Sequence, residues 1–464
     1  MRKFDILKNV EISAFAAEGK SIAKVDGFVF FLDNAVPGDV ADIQIIRLKK
    51  NFGEAKALTI NQLSPLRETP KCEHFGVCGG CKWQHLSYTN QLQFKQQQVI
   101  DAFTKIGKID FPEPLAIVGS SQIYKYRNRL DFTFSNSRWL TDAEIKDLAT
   151  VYDRNALGFH VPGRFDKIVE VNHCHLQGGK SNEIRLFAGA FAREHKAEFY
   201  DFREQVGLLR QLVIRTTSTG QVMVIVWFCK EDDFNEMLLS ALKVKFPEIT
   251  SLNYIIDNKR NDSMNDVVVH PYSGIPYIVE EMEDLKFRIG PKSFYQTNSS
   301  QAYELYKVTR DFAGLTGSEN VYDLYTGTGT IALFVAKMAA KVVGVEYVEE
   351  AIADAKLNAK ENKINNAKFF AGDIKDVMND DFVARHGKPD VIITDPPRVG
   401  MHEDVVQKII EFSPAKIVYV SCNPATQARD LAWMNETYKV SRVQTVDMFP
   451  HTHHVENVVL LERR

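Results

Sequence analysis

The chain has 464 residues, of which 45% are hydrophobic and 25% are charged, and its formal net charge is −3. This mix is typical of a soluble globular protein of about three domains, and no stretch approaches the roughly 18 apolar residues that a membrane span needs. Charged residues interrupt the N-terminus before an apolar run develops, so we expect a cytoplasmic protein. Because phosphate contacts need Lys and Arg, any nucleic-acid site must be a local basic patch.

Short apolar segments separated by turn signals fill the N-terminal part of the chain. Residues 22–25, 27–32 and 40–46 are three of them, and such even spacing of short strands predicts a small β-barrel. Residues 47–52 add basic side chains beside a phenylalanine, a combination that suits stacking on RNA. A solvated face of a generic β-domain explains the same residues equally well.

Six cysteines in so long a chain are too few for a disulfide scaffold, and their spacing indicates metal binding or catalysis. Cys72, Cys78 and Cys81 form a C-x5-C-x2-C cluster with a pair of glycines that lets the backbone curl around one site. Four thiolates are the usual complement of an iron–sulfur cluster, and Cys174 is the best fourth candidate. Zinc remains an alternative on spacing alone.

The middle of the chain combines one predicted helix with predicted strands. Residues 91–107 have the apolar spacing of an amphipathic helix, with Leu92, Val99, Phe103 and Ile106 on its predicted face. Residues 212–215 and 222–228 flank a Ser-Thr-Gly turn and predict a β-hairpin. Residues 125–129 are basic around a tyrosine, which fits either an RNA contact or a solvated strand edge.

After residue 290, strands alternate with helices, as expected of a parallel sheet. A strand at 321–324 runs into a turn that contains Gly327 and Gly329, and the next strand ends in Glu346, an acid placed to accept hydrogen bonds from ribose hydroxyls. The turn lacks the full G-x-G-x-x-G pattern, since Ala332 occupies its last position. S-adenosylmethionine is therefore favoured over a nicotinamide dinucleotide.

Two further aspartates follow predicted strands in this region. Asp373 is placed either to meet an adenine amino group or to cap a helix that begins at Ile374. Asp395 precedes two prolines and Arg398 at a strand tip, where a structural role is harder to assign. The order of these motifs resembles that of class I methyltransferases.

The apolar run 417–420 ends abruptly in Ser-Cys-Asn-Pro, which places Cys422 at the carboxyl end of a strand, where ligands bind in open α/β sheets. A catalytic nucleophile and an ordinary buried cysteine both fit this position. Glu456 stands just before a closing strand at 458–461 and would emerge near the same strand tips as a general base. The three histidines at 451–454 lack accompanying carboxylates and do not predict a metal site.

The motifs at 293–298, 323–329, 395–398, 421–424 and 449–456 occur in the order seen in RNA uracil-5-methyltransferases. The chain resembles this family over nearly its whole length, and its first 66 residues resemble a TRAM domain. The cysteine cluster makes it similar to the type that acts on 23S ribosomal RNA. Transfer RNA or several ribosomal uridines are alternative substrates, and a non-catalytic RNA-binding iron–sulfur protein is the alternative from a different class.

The resemblance implies roles for individual residues. It implies that Cys422 is the nucleophile that adds to carbon 6 of uracil and that Glu456 is the base that resolves the adduct. It implies contacts to S-adenosylmethionine from Gln296, Tyr325, Glu346 and Asp395. The residue pattern adds Gly327, Gly329 and Asp373 to the expected donor site. It also implies a 4Fe-4S cluster on four cysteines, namely Cys72, Cys78, Cys81 and Cys174. Residues 141–166 match nothing in the family pattern, which leaves the choice of RNA open.

The expected architecture is a multidomain α/β protein. We expect an OB-like TRAM β-barrel at 1–66 that binds RNA, a central, mainly β, iron–sulfur domain at 67–289, and a class I, Rossmann-like methyltransferase domain at 290–464. The helix at 91–107 is expected to pack on the catalytic domain. We expect a monomer that binds a single-stranded or loop segment of RNA with its target uridine flipped out.

Overall fold

The computed structural model describes residues 1–264 and 266–464. Its N-terminal strands close into a barrel in the order β1-β2-β3-β5-β4. These strands are β1 Ile6–Phe15, β2 Ser21–Val25, β3 Phe28–Asp33, β4 Val40–Leu48 and β5 Phe52–Gln62. Side chains that alternate along the strands fill the interior, among them Ile12, Phe30 and Ile43, which are completely buried. The predicted barrel is confirmed.

Helix α1, Tyr88–Ala102, continues into a π-helical turn at Phe103–Gly107 and is followed by strand β6, Leu115–Val118. The predicted helix is confirmed, but the predicted buried face is wrong in part. The helix buries Gln91 and Lys95 in its first half, while Ile106 in the turn is 54% exposed. The apolar pattern failed here because this half of α1 packs against polar loop backbone.

The central strands form a sheet in the order β13-β12-β11-β10-β7-β8-β9. They are β7 Arg129–Ser135, β8 Ala156–Val161, β9 Arg164–Glu170, β10 Leu209–Thr216, β11 Val222–Phe228, β12 Ile249–Ile256 and β13 His270–Gly274. The helices of this region are α2 Asp142–Lys146, α3 Ser181–Glu194 and α4 Asp233–Lys245. Helices α3 and α4 cover one apolar face of the sheet, and the predicted β10–β11 hairpin is confirmed.

A two-stranded hairpin, β14 Ile278–Met282 and β15 Leu285–Ile289, leads into helix α5, Ser299–Ala313. The remaining strands are β16 Asn320–Leu324, β17 Lys341–Glu346, β18 Ala367–Ala371, β19 Val391–Thr394, β20 Lys416–Ser421, β21 Tyr438–Val446 and β22 Glu456–Arg463. The helices between them are α6 Thr330–Ala336, α7 Glu349–Glu361, α8 Ile374–Val377, α9 Asp380–His386, α10 Glu403–Phe412 and α11 Pro424–Met434.

The C-terminal strands and β6 form one sheet in the order β18-β17-β16-β19-β20-β22-β21-β6. The strands from β18 to β20 run parallel, and β22 is antiparallel to both of its neighbours. Apolar clusters cover both faces of this sheet. The strand order reverses between β16 and β19, which is where open α/β sheets bind ligands. The predicted Rossmann-like domain is confirmed.

Two features of the chain's organisation follow from these contacts. Strand β6 joins the C-terminal sheet although it precedes the central sheet in sequence, and α1 with its π-helical turn packs against α11. Across the described residues, no helix is both long and apolar enough to cross a membrane.

Candidate active site

Four predicted site residues lie at the carboxyl edge of the parallel strands. Tyr325 follows β16, Glu346 ends β17, Asp395 follows β19 and Cys422 follows β20. The strand register aligns these ends, since Leu324 pairs with both Val345 and Thr394, and Thr394 pairs with Tyr419. The sheet therefore brings side chains from distant parts of the sequence to one edge.

Cys422 and Glu456 come together because β20 and β22 run in opposite directions. Ser421 pairs with Asn457, so the residue after β20 lies beside the first residue of β22. Gln427 braces the two strands, since its side-chain amide donates to the Tyr419 carbonyl of β20 at 3.0 Å and to the Asn457 carbonyl of β22 at 3.2 Å. The two strand ends thus hold the thiol of Cys422 and the carboxyl of Glu456 next to each other.

The electrostatics of this site favour uncharged acids. Burial, followed by the neighbouring Asp395, raises the pKa of Glu456 well above its usual range. Burial also raises the pKa of Asp395 to about 7, with Asp323 as the next cause, although part of the Asp395 surface is exposed. Burial, then Glu456 and Asp395, raise the pKa of Cys422 to about 12. A site that concentrates acidic groups in this way is suited to a cationic ligand.

Arg398 places a positive charge beside these acids, and no role was predicted for it from the sequence. Its charge lowers the pKa of both Cys422 and Glu456, against the stronger effect of burial. Asn423 Nδ2 and Thr426 Oγ1 both donate to the Arg398 carbonyl, at 2.9 and 3.2 Å. The turn after Cys422 therefore holds the Asp-Pro-Pro-Arg segment in place. The sequence contained a signal for this role, since the arginine directly follows a strand-tip acid and two prolines. We did not predict a role for Arg398 from it.

The glycine turn after β16 leaves room for a ligand. Gly327 and Gly329 have φ angles of +55° and +78°, a region that favours glycine. A Cβ at Gly329 would come within 3.0 Å of Ala355 and Phe369, whereas a Cβ at Gly327 would meet no described atom within 4 Å. Glu346 accepts a hydrogen bond from the Gly327 N–H at 3.2 Å. Gly329 is needed for packing, and Gly327 borders open space.

Asp323, at the end of β16, is a second residue to which no separate role was assigned from sequence. It accepts hydrogen bonds from Thr326 Oγ1 at 2.5 Å and from the Ala332 N–H at 3.1 Å, and it is 1% exposed. Its other carboxyl oxygen has no hydrogen-bond partner among the described residues. Burial raises its pKa to about 7. Asp323 fixes the glycine turn from below.

The two remaining predicted donor contacts lie at the rim of the site. Asp373 caps α8 through the Lys375 N–H at 3.2 Å, which is the structural role weighed for it from sequence. Gln296 is half-buried on the loop that precedes α5. That loop is joined to the glycine turn, because Thr328 Oγ1 donates to the Phe294 carbonyl at 3.4 Å. Contacts of both residues with the donor stay predictions.

The four predicted ligand cysteines line one cavity of about 530 Å³. All are free thiols, and Cys78 Sγ accepts a hydrogen bond from the Gly80 N–H at 3.4 Å. Burial raises the pKa of Cys78 and Cys81 to about 12, and the other thiols add to the rise. Within residues 1–264 and 266–464, no group of three or more His, Cys, Asp or Glu side chains is arranged to hold a metal ion.

The same cavity extends toward the active-site loops. Arg127, Phe294 and His454 are among its lining residues, and His454 Nδ1 lies 3.3 Å from an Arg398 nitrogen. Of the predicted basic run 125–129, Tyr126 is buried and donates to a backbone carbonyl, so its ring is not available for stacking. The Arg127 guanidinium lies over the ring of Phe449 at 5.1 Å and borders the cavity.

Two known families match the chain. Residues 276–464 match the tRNA (uracil-5-)-methyltransferase family, and residues 8–58 match the TRAM domain. The methyltransferase match covers the β14–β15 hairpin, helix α5 and the C-terminal sheet from β16 onward, and the TRAM match covers most of the N-terminal barrel.

Similar proteins cover the whole chain. An uncharacterized RNA methyltransferase of Bacteroides thetaiotaomicron is 57% identical over 97% of this chain and 100% of its own length. Another, of Porphyromonas gingivalis, is 53% identical over 98% of this chain and 99% of its own length. The crystal structure of Pyrococcus abyssi tRNA (uracil-54, C5)-methyltransferase with S-adenosyl-L-homocysteine is 28% identical, covers 98% of this chain and 100% of its own, and superposes with a TM-score of 0.75. The chain therefore belongs to the RNA uracil-5-methyltransferase family and is an S-adenosylmethionine-dependent enzyme with an N-terminal TRAM domain.

Proposed function

We propose that the enzyme methylates carbon 5 of a uridine through a covalent bond between Cys422 and carbon 6. The observation that carries this proposal is the juxtaposition of Cys422 and Glu456 at the ends of β20 and β22. Carbon 5 of uracil is a weak nucleophile, and addition of a thiolate to carbon 6 moves electrons into the ring and makes carbon 5 reactive. Splitting one hard step into two easier steps is the gain of covalent catalysis.

The steps require two groups of this chain. The Cys422 thiolate forms the bond to carbon 6, and the electron pair of the C5–C6 double bond moves into an enolate. S-adenosylmethionine supplies the methyl group that carbon 5 accepts. The Glu456 carboxylate then takes the proton from carbon 5, the double bond re-forms and the thiolate leaves.

The pKa values of Cys422 and Glu456 fit this order of steps. Without a ligand, the pKa of the thiol and the pKa of the carboxyl are both raised, with burial as the main cause. Positive charge brought next to Asp395 favours ionisation of the neighbouring acidic groups. Binding of a sulfonium at this edge would thus lower the pKa of Cys422 and Glu456 together.

The donor fits the open space beside Gly327. Glu346 lies where a carboxylate can accept bonds from ribose hydroxyls, and it already contacts the Gly327 N–H. Tyr325 provides a half-buried ring at the same turn, and Asp395 provides a carboxyl close enough to affect the pKa of both Cys422 and Glu456. Gln296 and Asp373 complete the proposed donor site from the rim.

A 4Fe-4S cluster on Cys72, Cys78, Cys81 and Cys174 is part of the proposal. The residues fit it because four thiols face one cavity and an N–H group already donates to one of the sulfurs. The cluster would brace the segment around it and take no part in methyl transfer.

The proposed substrate is 23S ribosomal RNA, in a single-stranded or loop segment. The resemblance of the cysteine pattern and the TRAM domain to the family type that acts on 23S ribosomal RNA supports this choice. Transfer RNA is the second candidate, because the 28% identical Pyrococcus enzyme is a tRNA (uracil-54, C5)-methyltransferase. The target base must leave its stack to reach Cys422, at a cost of a few kcal/mol that an unpaired uridine reduces.

The proposed division of labour assigns RNA binding to residues 1–66 and 67–289 and chemistry to residues 290–464, in a monomeric cytoplasmic enzyme. The cavity between the cysteines and the active-site loops, with Arg127 at its wall, is the proposed path for the RNA strand. Arginine beside aromatic rings is typical of single-strand binding sites.

The deciding experiment maps 5-methyluridine in ribosomal and transfer RNA from cells that lack the gene. Loss at one 23S uridine, restored by the wild-type gene and not by Cys422→Ala, supports the proposal. Loss confined to transfer RNA moves the assignment to the second candidate. An unchanged map in both RNA classes contradicts the proposed function.

A further inference from the structure

The loop between β21 and β22, residues 447–455, leads directly to Glu456 and is held by a helix from the other end of the chain. Gln91 and Lys95 stand one turn apart on α1, and both are completely buried. Helical residues four apart lie on one face, so the two polar side chains form a single surface toward the loop. Buried lysine and glutamine need firm partners, and the loop supplies them.

His451 is the centre of this contact. Its φ angle is +65°, a strained conformation for a residue with a side chain. Its N–H donates to Gln91 Oε1 at 2.7 Å, and its carbonyl accepts from the backbone N–H groups of Lys82 and Trp83, each at 2.9 Å. Such strain persists only where the surroundings fix it. Every backbone polar group of His451 is thus held by residues 82–91.

Lys95 fixes the start of the loop. Its ammonium donates to Asp447 Oδ1 at 2.5 Å and to the Phe449 carbonyl at 3.0 Å, and neither charged side chain is exposed to solvent. Tyr88 donates to the other carboxyl oxygen of Asp447 at 2.8 Å. A buried ion pair adds little net stability, whereas it specifies one arrangement strongly. Positioning explains this pair better than stabilisation does.

We propose that Gln91 and Lys95 are positioning residues for Glu456, because they fix the loop that leads directly to this residue. The inference rests on the proposed function, in which Glu456 takes the proton from carbon 5 of the adduct. Glu456 pairs with Val446, and the loop joins these two residues and brings His454 to Arg398 beside the active-site acids. A loosened loop slows the proton transfer and leaves addition of the thiolate intact.

The test compares Gln91→Met with Gln93→Met, the same substitution at an exposed position of the same helix. Each variant reacts in a single turnover with S-adenosylmethionine and with 23S and transfer RNA purified from cells that lack the enzyme. The readout is the protein–RNA adduct on denaturing gels over time, beside wild type and Glu456→Gln. We expect Gln91→Met to resolve the adduct roughly tenfold to a hundredfold more slowly, with donor affinity unchanged, and Gln93→Met to match wild type.

A second variant keeps the test decisive if Gln91→Met does not fold. Lys95→Met combined with Asp447→Asn removes both charges together and leaves no buried charge unpaired, and we expect the same slow resolution. Resolution at the wild-type rate, or a loss of methylation with no adduct at any time, overturns the positioning role. If Glu456→Gln also forms no adduct, the covalent mechanism itself fails, which separates the two failures.

Discussion

Cys422 and Glu456 stand on adjacent antiparallel strands, one immediately after β20 and the other at the start of β22. The carboxyl is one of the reasons why the pKa of the thiol is raised, after burial. The same neighbour that would resolve a covalent adduct therefore also contributes to the raised pKa of the nucleophile. This coupling leads to specific expectations for variants of the site.

Cys422→Ala should abolish methyl transfer, because no other free thiol lies at the carboxyl edge of the C-terminal sheet in the described chain. Donor affinity should stay near the wild-type value, since the glycine turn is untouched. Cys229→Ala is the control, because Cys229 is a free cysteine after a strand of the central sheet. Tritium transfer and calorimetric titration of the donor check both statements. Methylation by Cys422→Ala would remove the nucleophile.

Gly327→Ala should weaken binding of the methyl donor by roughly tenfold or more, because the new Cβ enters the space beside Glu346. Gly179→Ala is the matched control, since Gly179 has a φ angle of +61°, close to that of Gly327, and no described atom within 4 Å of a Cβ. Both variants carry similar backbone strain, about 1 to 2 kcal/mol. The midpoint temperature of thermal unfolding should therefore fall by a similar amount in the two variants. Only Gly327→Ala should lose affinity for the methyl donor. Equal donor affinity would place the donor elsewhere.

Asp395→Asn should stabilise the ligand-free protein at high pH while it impairs catalysis. The carboxyl ionises near 3.8 in an unfolded chain and near 7 in the folded protein. Its contribution to stability is thus complete below pH 3.8 and is lost as the pH rises through about 7. Asparagine cannot ionise, so the stability advantage of the variant should widen by roughly 1–2 kcal/mol between pH 5.5 and 8. Urea unfolding at several pH values measures the free energy of unfolding of the variant and of wild type. A difference between them that does not change with pH would contradict the raised pKa of Asp395.

Anaerobically purified protein should be brown and contain about four iron atoms per chain. Substitution of Cys72 and Cys81 by Ala should remove the iron and the visible absorbance. Cys229→Ala should keep both, because Cys229 does not line the cavity. Iron analysis with absorbance spectra checks the prediction. Stoichiometric zinc without iron under the same conditions would replace the cluster with a zinc site.

Local sequence patterns predicted the parts of the fold in which neighbours in sequence are neighbours in structure. The strand at 417–420, the hairpin around residue 219 and the glycine turn were predictable from apolar runs and turn residues, and each is present. The convergence of Cys422 and Glu456 was predictable too, because both flank strands of one sheet.

Contacts between distant segments were not predictable from such patterns. Lys95 and Asp447 are 352 positions apart, and α1 reads as an ordinary amphipathic helix whose buried face should be apolar. The structure buries Lys95 in that face because loop carbonyls and Asp447 provide its partners. Arg398 was missed for a related reason, since its position beside the acids depends on Asn423 and Thr426. The spacing of apolar residues along the sequence does not indicate which polar groups will meet in the fold.

The most direct test of the covalent mechanism is the reaction of Glu456→Gln with S-adenosylmethionine and substrate RNA, followed by denaturing electrophoresis and mass spectrometry. The account predicts a protein–RNA adduct that survives denaturation and joins Cys422 to a uridine that already carries the methyl group. Release of free 5-methyluridine-containing RNA at the wild-type rate, with no adduct, would contradict it.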